Sequence, residues 1–209
     1  MMIKRRLRRI KDAWKVRQMQ SPWGAIFQRY HGQELVSLDI ETTSLDVSKA
    51  QILSIGAVVI KGNRVLSSDK LSLTLSAPKD LPQDSVKIHK LRRIDLNEGL
   101  PVAEALEKML KFIGNRPIVG YNIGYDLAVL DKYTRPLFDF GIPNPYVDVM
   151  HLYRKKTELS GCVDCQLNLS FEAIAKGLDV PVLGRHTALG DAITTAIIYV
   201  RLKCSTSLS

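Results

Sequence analysis

A chain of 209 residues, 45% of them apolar, can bury a core in one domain and still carry an extension. No uninterrupted apolar run approaches the roughly 18 residues of a membrane span, and no apolar segment with a small-residue cleavage site follows the basic N-terminus. Neither a transmembrane segment nor a secretory signal is therefore expected. Three cysteines give no disulfide framework and suit a reducing, cytoplasmic setting. The net charge of +9 is lopsided: residues 1–33 hold nine Lys or Arg against Asp12 alone, and the rest is close to neutral. Charge thus divides the chain into a basic helical extension, 1–33, and a main domain, 34–209.

In chain order, Ile3, Leu7, Ile10 and Trp14 recur at helical intervals among cations and predict a basic amphipathic helix over 3–18. Ser21-Pro22 ends it. Three roles for this helix stay open: gripping phosphates, lying on an anionic membrane, or docking Ile3, Leu7, Ile10 and Trp14 on the domain. A protein partner bound through residues 1–33 also stays open. Residues 35–41 (LVSLDIE) read as a strand with Val36, Leu38 and Ile40 on one face and Ser37, Asp39 and Glu41 on the other. Residues 51–60 and 64–76 are β-rich, with Lys61-Gly62-Asn63 as the hairpin turn.

Pro101 opens a helix whose buried stripe is Val102, Leu106, Met109 and Ile113, with Glu104–Lys108 and Glu107–Lys111 pairs on its outer side. A short strand, 117–121, leads into a helix from about 124 that Pro136 should kink or end. Residues 146–149 form another short strand. Two helices follow, about 170–177 and 187–203, the second with Ala188, Ala192, Ile193, Ala196, Ile197 and Val200 facing inward. The pattern is α/β: three early strands linked as hairpins, then alternating helix and strand, in a mixed sheet flanked by helices.

Five residues stand out against this frame. Asp39 and Glu41 are i and i+2 on a strand, so their carboxylates share a side. Alone, such a pair fits a solvent-exposed edge strand equally well. Asp126 falls in the first turn of its helix, where the dipole favours an acid anyway. His186 and Asp191 bracket the start of the last helix. Taken together, four acids and a histidine from three distant segments suit a two-metal phosphodiesterase site. Hard divalent cations prefer carboxylate oxygen, and phosphodiester cleavage needs charge stabilised on both the attacking and the leaving oxygen.

The ordered set resembles the DEDDh branch of the DnaQ-like 3′–5′ exonucleases, the superfamily of polymerase proofreading subunits and ribonuclease T. Asp39-Ile40-Glu41-Thr42-Thr43 is similar to the first exonuclease motif, Asn122 with Asp126 to the second, and His186 with Asp191 to the third. Ile88-His89 sits where relatives carry a similar pair. The resemblance covers about residues 34–203 and departs at Ser44, where relatives have Gly, and at Lys90, where Gly often follows the histidine. It implies a ribonuclease H-like fold with a five-stranded sheet, three strands antiparallel and then two parallel.

The resemblance further implies two divalent cations, Mg2+ with Mn2+ as a substitute, held by Asp39, Glu41, Asp126 and Asp191. His186 would be the general base, an imidazole with an ordinary pKa of roughly 6.5 being suited to accept water's proton near neutral pH. Thr42, Thr43 and Leu45 would flank the terminal nucleotide, with His89 also on the substrate side, and Asn122 would either bind substrate or serve a structural role at the strand end. The implied activity is release of nucleoside monophosphates from single-stranded DNA or RNA 3′ ends. A DNA polymerase III epsilon-like proofreading subunit is the alternative within the class. It is disfavoured because only 18 residues follow Asp191, all of them needed for the last helix. A catalytically silent nucleic-acid-binding module is the alternative outside it, and the presence of every motif acid counts against that. Cys162 and Cys165 form a lone CxxC without a second ligand pair, so a polar loop is expected there rather than zinc.

Overall fold

The structure is a computed structural model. It describes residues 2–78, 96, 98–159 and 167–204, with the backbone alone for 2–6. Helix α1 (Met2–Gln18) is followed by a short 3-10 turn (Pro22–Phe27) whose first residues are capped by Ser21, the hydroxyl accepting from Trp23 N–H at 3.4 Å. The sheet strands are β1 (Glu34–Thr42), β2 (Ile52–Lys61), β3 (Arg64–Thr74), β4 (Ile118–Gly120) and β5 (Tyr146–Asp148). Between and after them lie α2 (Val102–Ile113), α3 (Ile123–Phe138), α4 (Val149–Leu159), α5 (Phe171–Gly177) and α6 (Ala188–Cys204). His89, Cys162 and Cys165 lie outside the described residues.

The strands are ordered β3-β2-β1-β4-β5, with β1, β2 and β3 antiparallel and β4 and β5 parallel to β1. This is the ribonuclease H-like arrangement that the family resemblance implies. The β2–β3 hairpin closes on the pair Lys61↔Arg64, and Gly62 supplies the positive φ of 58° that the tight turn requires. β1 is central, so the reading of Asp39 and Glu41 as solvated acids on an edge strand is excluded.

Each face of the sheet has its own core. Val36, Leu38 and Ile40 pack with Leu106, Met109, Leu110 and Ile113 of α2 and with Ile123, Leu127 and Leu130 of α3. Val58, Ile60 and Val119 meet Val149 of α4, Phe171 and Ile174 of α5, and Ala196, Ile198, Tyr199 and Leu202 of α6. The pairs Glu104–Lys108 (3.3 Å) and Glu107–Lys111 (2.6 Å) form on the outer side of α2 as expected.

Three expectations are corrected. Pro136 does not stop α3, which runs on to Phe138 and ends where Asp139 turns left-handed at φ 67°. Helix α4 follows β5 directly with a single fully buried residue, Val149, so it had no apolar stripe to betray it. On α6, Ile198, Tyr199 and Leu202 are buried while Ile193, Ile197 and Val200 are only partly so. That helix is covered on most sides, and periodicity alone could not rank its faces.

The third role for α1 is reversed. Val16 is buried in the first core, beside Ile26 of the 3-10 turn, while Leu7, Ile10 and Trp14 are 57%, 60% and 66% exposed. The helix docks through its other side. Asp12 pairs with Arg135 and accepts from Gly141 N–H, both at 3.3 Å, and Lys15 pairs with Asp139.

Candidate active site

The carboxyl ends of β1 and β4 and the first turns of α3 and α6 meet at one place, where ligands bind in open α/β sheets generally. Four side chains arrive there by separate routes. Asp39 and Glu41 project from the α6 face of β1, and a register shift in the β1–β2 pairing follows directly, between Glu41 and Thr42. Such bulges re-aim side chains at the end of a ladder.

Asp191 is brought in by close contact of α6 with the sheet. Gly56, the partner of Asp39 across β1 and β2, has α6 lying directly on it. A Cβ there would stand 2.1 Å from the backbone of Ala188 and Leu189. Ser37, buried on the same face, donates from its hydroxyl to Ala192 O at 2.7 Å and fixes the height of the helix over the strand. The result is that Asp39, Glu41 and Asp191 each offer a carboxylate oxygen within 4.8 Å of the others.

Asp126 enters from the opposite layer on the first turn of α3, 6% exposed, and its Oδ1 accepts from the Ile40 N–H at 3.2 Å. It stands outside the triple carboxylate group but near enough to Asp39 to raise its proton affinity. Asn122 starts α3 in the left-handed region at φ 47°, a conformation asparagine tolerates, and its N–H donates to Asp148 Oδ1 at 3.1 Å. The same Asp148 oxygen accepts from Met150 N–H at 3.0 Å, so that acid holds backbone.

His186 is reached through a tight loop before α6. Gly184 and His186 both have positive φ, 57° and 65°, and the loop folds over Gly190, where a Cβ would lie 2.4 Å from the carbonyl oxygens of Leu183 and Gly184. Thr187 caps α6, accepting from Gly190 N–H at 3.2 Å. The His186 N–H donates to Asp191 Oδ2 at 3.3 Å, and the imidazole is close enough for its charge to act on Asp191 and Glu172.

The charge balance is uneven. Burial first, then Asp126, Asp191 and Glu41, push Asp39 well above the usual carboxylate range. Burial and Asp191 carry Glu41 to about 7, and burial lifts Asp126 to about 8. Asp191 is also raised by burial, against the pull of Arg185. Arg185 bridges Asp191 Oδ2 and Glu172 Oε1, both at 2.6 Å, and lies over the Phe171 ring at 4.7 Å. Motif reading passed it over, although it directly precedes His186. Asp191 Oδ1 is buried with no hydrogen-bond partner among the described residues. Three converging carboxylates, each with its proton affinity raised by burial, and an orphaned oxygen fit a divalent cation, whose charge would offset theirs.

The β1–β2 loop is tied down by α3. Thr42 Oγ1 donates to Ser44 O at 3.1 Å and lies 2.6 Å from the Tyr125 hydroxyl, which also bonds Ser44 O. Gln51 N–H donates to Thr43 Oγ1 at 3.0 Å. Lys132 Nζ donates to the carbonyls of Val47, Ser48 and Ala50 at 3.0, 3.3 and 2.5 Å. Both threonine hydroxyls are thus engaged within the loop, and Leu45, 88% exposed, stands out from it. No spacing rule flags Tyr125 or Lys132, because their work is done on backbone carbonyls distant in sequence.

Comparison with known proteins agrees with this fold. The chain is 26% identical over 166 residues to the DNA polymerase III PolC-type of Thermotoga maritima, covering 79% of itself but 12% of that much longer protein. It is 26% identical over 167 residues to the DNA polymerase III subunit epsilon of Aquifex aeolicus, covering 80% of itself and 79% of the relative. E. coli exonuclease I, solved in complex with a dT13 oligonucleotide, superposes with a TM-score of 0.72 at 14% identity, over 84% of this chain and 42% of that one. The RNase_T family model, described as Exonuclease, matches residues 36–199, and the chain belongs to that exonuclease family.

Proposed function

We propose that this chain is a divalent-metal-dependent 3′–5′ exonuclease that releases nucleoside monophosphates from single-stranded DNA or RNA ends in the cytoplasm. The supporting observation is the convergence of Asp39, Glu41 and Asp191 within 4.8 Å, with Asp191 Oδ1 buried and unpartnered. An all-oxygen donor set favours magnesium, with manganese as a substitute. In this reading Asp39, Glu41 and Asp191 would hold one ion and Asp39 with Asp126 a second, and the bound metal would supply charge to both the entering and the departing oxygen.

The chain's own residues do the rest. His186 takes the proton of the attacking water, and the bond from its backbone N–H to Asp191 anchors its main chain beside the acids. Thr42 and Thr43 bound the terminal nucleotide, Leu45 wedges against its base from the tip of the anchored loop, and Asn122 contributes to substrate binding; His89, which the family resemblance also assigns to the substrate, lies outside the described residues. The catalytic unit is residues 34–209, with 1–33 as an extension. The similarity to DNA polymerase III PolC-type and subunit epsilon supports a second reading, a proofreading subunit bound to a DNA polymerase.

The test is a 5′-labelled single-stranded oligonucleotide, as DNA and as matched RNA, incubated with magnesium or with chelator. A ladder shortening from the 3′ end only with metal, and absent for Asp39→Asn, is the expected result. Internal cleavage, or cleavage that survives chelation, would overturn the reading.

A further inference from the structure

Helix α1 presents to solvent the side that its sequence pattern would send inward. Leu7, Ile10 and Trp14 fall within roughly 60° of one another around the helix at 3.6 residues per turn, and all three are more than half exposed. Cations border that stripe on both sides: Lys11, Lys15 and Arg8 along one edge and Arg17 along the other, all exposed. The helix carries one acid, Asp12, and this is spent on the docked side against Arg135 and Gly141. Asp139 offsets Lys15, and no acid among the described residues pairs with Arg8, Lys11 or Arg17.

A partner for this surface must be anionic over its area and must also take up three apolar side chains. A nucleic-acid strand satisfies the cations but leaves Leu7 and Ile10 in water. An anionic bilayer satisfies both: headgroups meet the lysines and arginines while the narrow, convex stripe enters the acyl boundary with Trp14 at the interface. We propose that α1 is a surface anchor that lies in the plane of an anionic lipid bilayer through Leu7, Ile10 and Trp14. No helix among the described residues is long and apolar enough to cross a membrane, so the attachment is peripheral.

The anchor is compatible with an open active site. α1 docks on the last turn of α3, through Arg135 and Asp139, whereas Asp126 is on its first turn. At 1.5 Å per residue the acids lie roughly 15–20 Å further along α3. This inference does not rest on nuclease activity, and its failure would leave that reading untouched.

The 209-residue chain is to be sedimented with phosphatidylcholine vesicles and with vesicles containing about one-third phosphatidylglycerol. It should pellet with the anionic vesicles alone, and high salt should release much of it. The triple variant Leu7→Ser, Ile10→Ser, Trp14→Ser alters only exposed side chains and should bind at least about 100-fold more weakly, with oligonucleotide hydrolysis unchanged. The tryptophan emission of the unaltered chain should shift to shorter wavelength on vesicles, and Trp14→Ser should lose that shift. Equal binding to both vesicle types, no binding, or anionic binding that survives the triple substitution would overturn the proposal. A triple variant that instead loses affinity for a single strand would assign the surface to nucleic acid.

Discussion

At its first turn, α3 sets Asp126 against the acids of β1; at its last, it receives Asp12 and Lys15 of α1. Charges at the first end are buried and alike, and the carboxyls respond by holding protons, Glu41 to about 7 and Asp126 to about 8. Those at the second end are paired and partly solvated, worth little each, and the unpaired cations of α1 simply face water. Buried like charges are informative because their cost must be met by something the chain lacks, here a cation. Exposed charges constrain their partner only when another feature, such as the apolar stripe of α1, narrows the choice.

The largest way to break this contrast is to remove one buried charge. Asp39→Asn should lower turnover by more than the 10–100-fold typical of losing a group that merely supports a metal ligand, as read in the oligonucleotide assay. Thermal unfolding without metal should show the same variant more stable than the parent, because the burial cost of that carboxylate and, after it, its repulsion by the neighbouring acids are relieved. An active Asp39→Asn would end the metal assignment.

Next comes His186→Ala, expected to cost about 10²–10⁴-fold in kcat with metal affinity retained. Wild-type turnover in this variant would make His186 a backbone device of the left-handed loop.

Gly56→Ala tests position instead of charge. The added Cβ must displace the first turn of α6, costing about 1–3 kcal/mol by denaturant unfolding and spreading Asp191 away from Asp39. Unchanged stability together with unchanged metal affinity would show that α6 is not held by that contact. The smallest effect is expected at the loop: Lys132→Met removes a charged donor from three carbonyls and should cost about 1.5 kcal/mol, with catalysis reduced only a few-fold.

The two regions also differed in what their residues disclosed beforehand. The motif acids and His186 stood out because isolated groups of those types at those spacings suit metal-assisted chemistry; a mixed sheet followed from hairpin links and alternating elements, and its five-strand arrangement from the family resemblance. Gly56, Ser37, Tyr125 and Arg185 were not, since each matters through a contact between segments far apart in the chain or, for Arg185, through a bridge to Asp191 and Glu172 that only the folded loop creates. On α1 the periodicity correctly grouped Leu7, Ile10 and Trp14. It could not tell which way they face, because a stripe records a shared side and not its occupant. Val16, alone among cations, fixed the docked side.

The central claim is that the buried acids hold protons in place of a divalent cation. Glu41, raised to about 7, and Asp126, raised to about 8, make the metal-free native chain bind more protons than the unfolded chain between about pH 4 and 8. The cluster's contribution to stability is therefore fully present below about pH 4 and is lost as pH rises through about 7 for Glu41 and about 8 for Asp126. A cation must displace those protons, so its affinity should climb over the same range. Calorimetric titration with magnesium at pH 6 and pH 8.5, in buffers of different ionisation enthalpy, measures this directly. Tighter binding at the higher pH, with proton release at the lower, is the expected result. Equal affinity without proton release, or no binding at either pH, would contradict it.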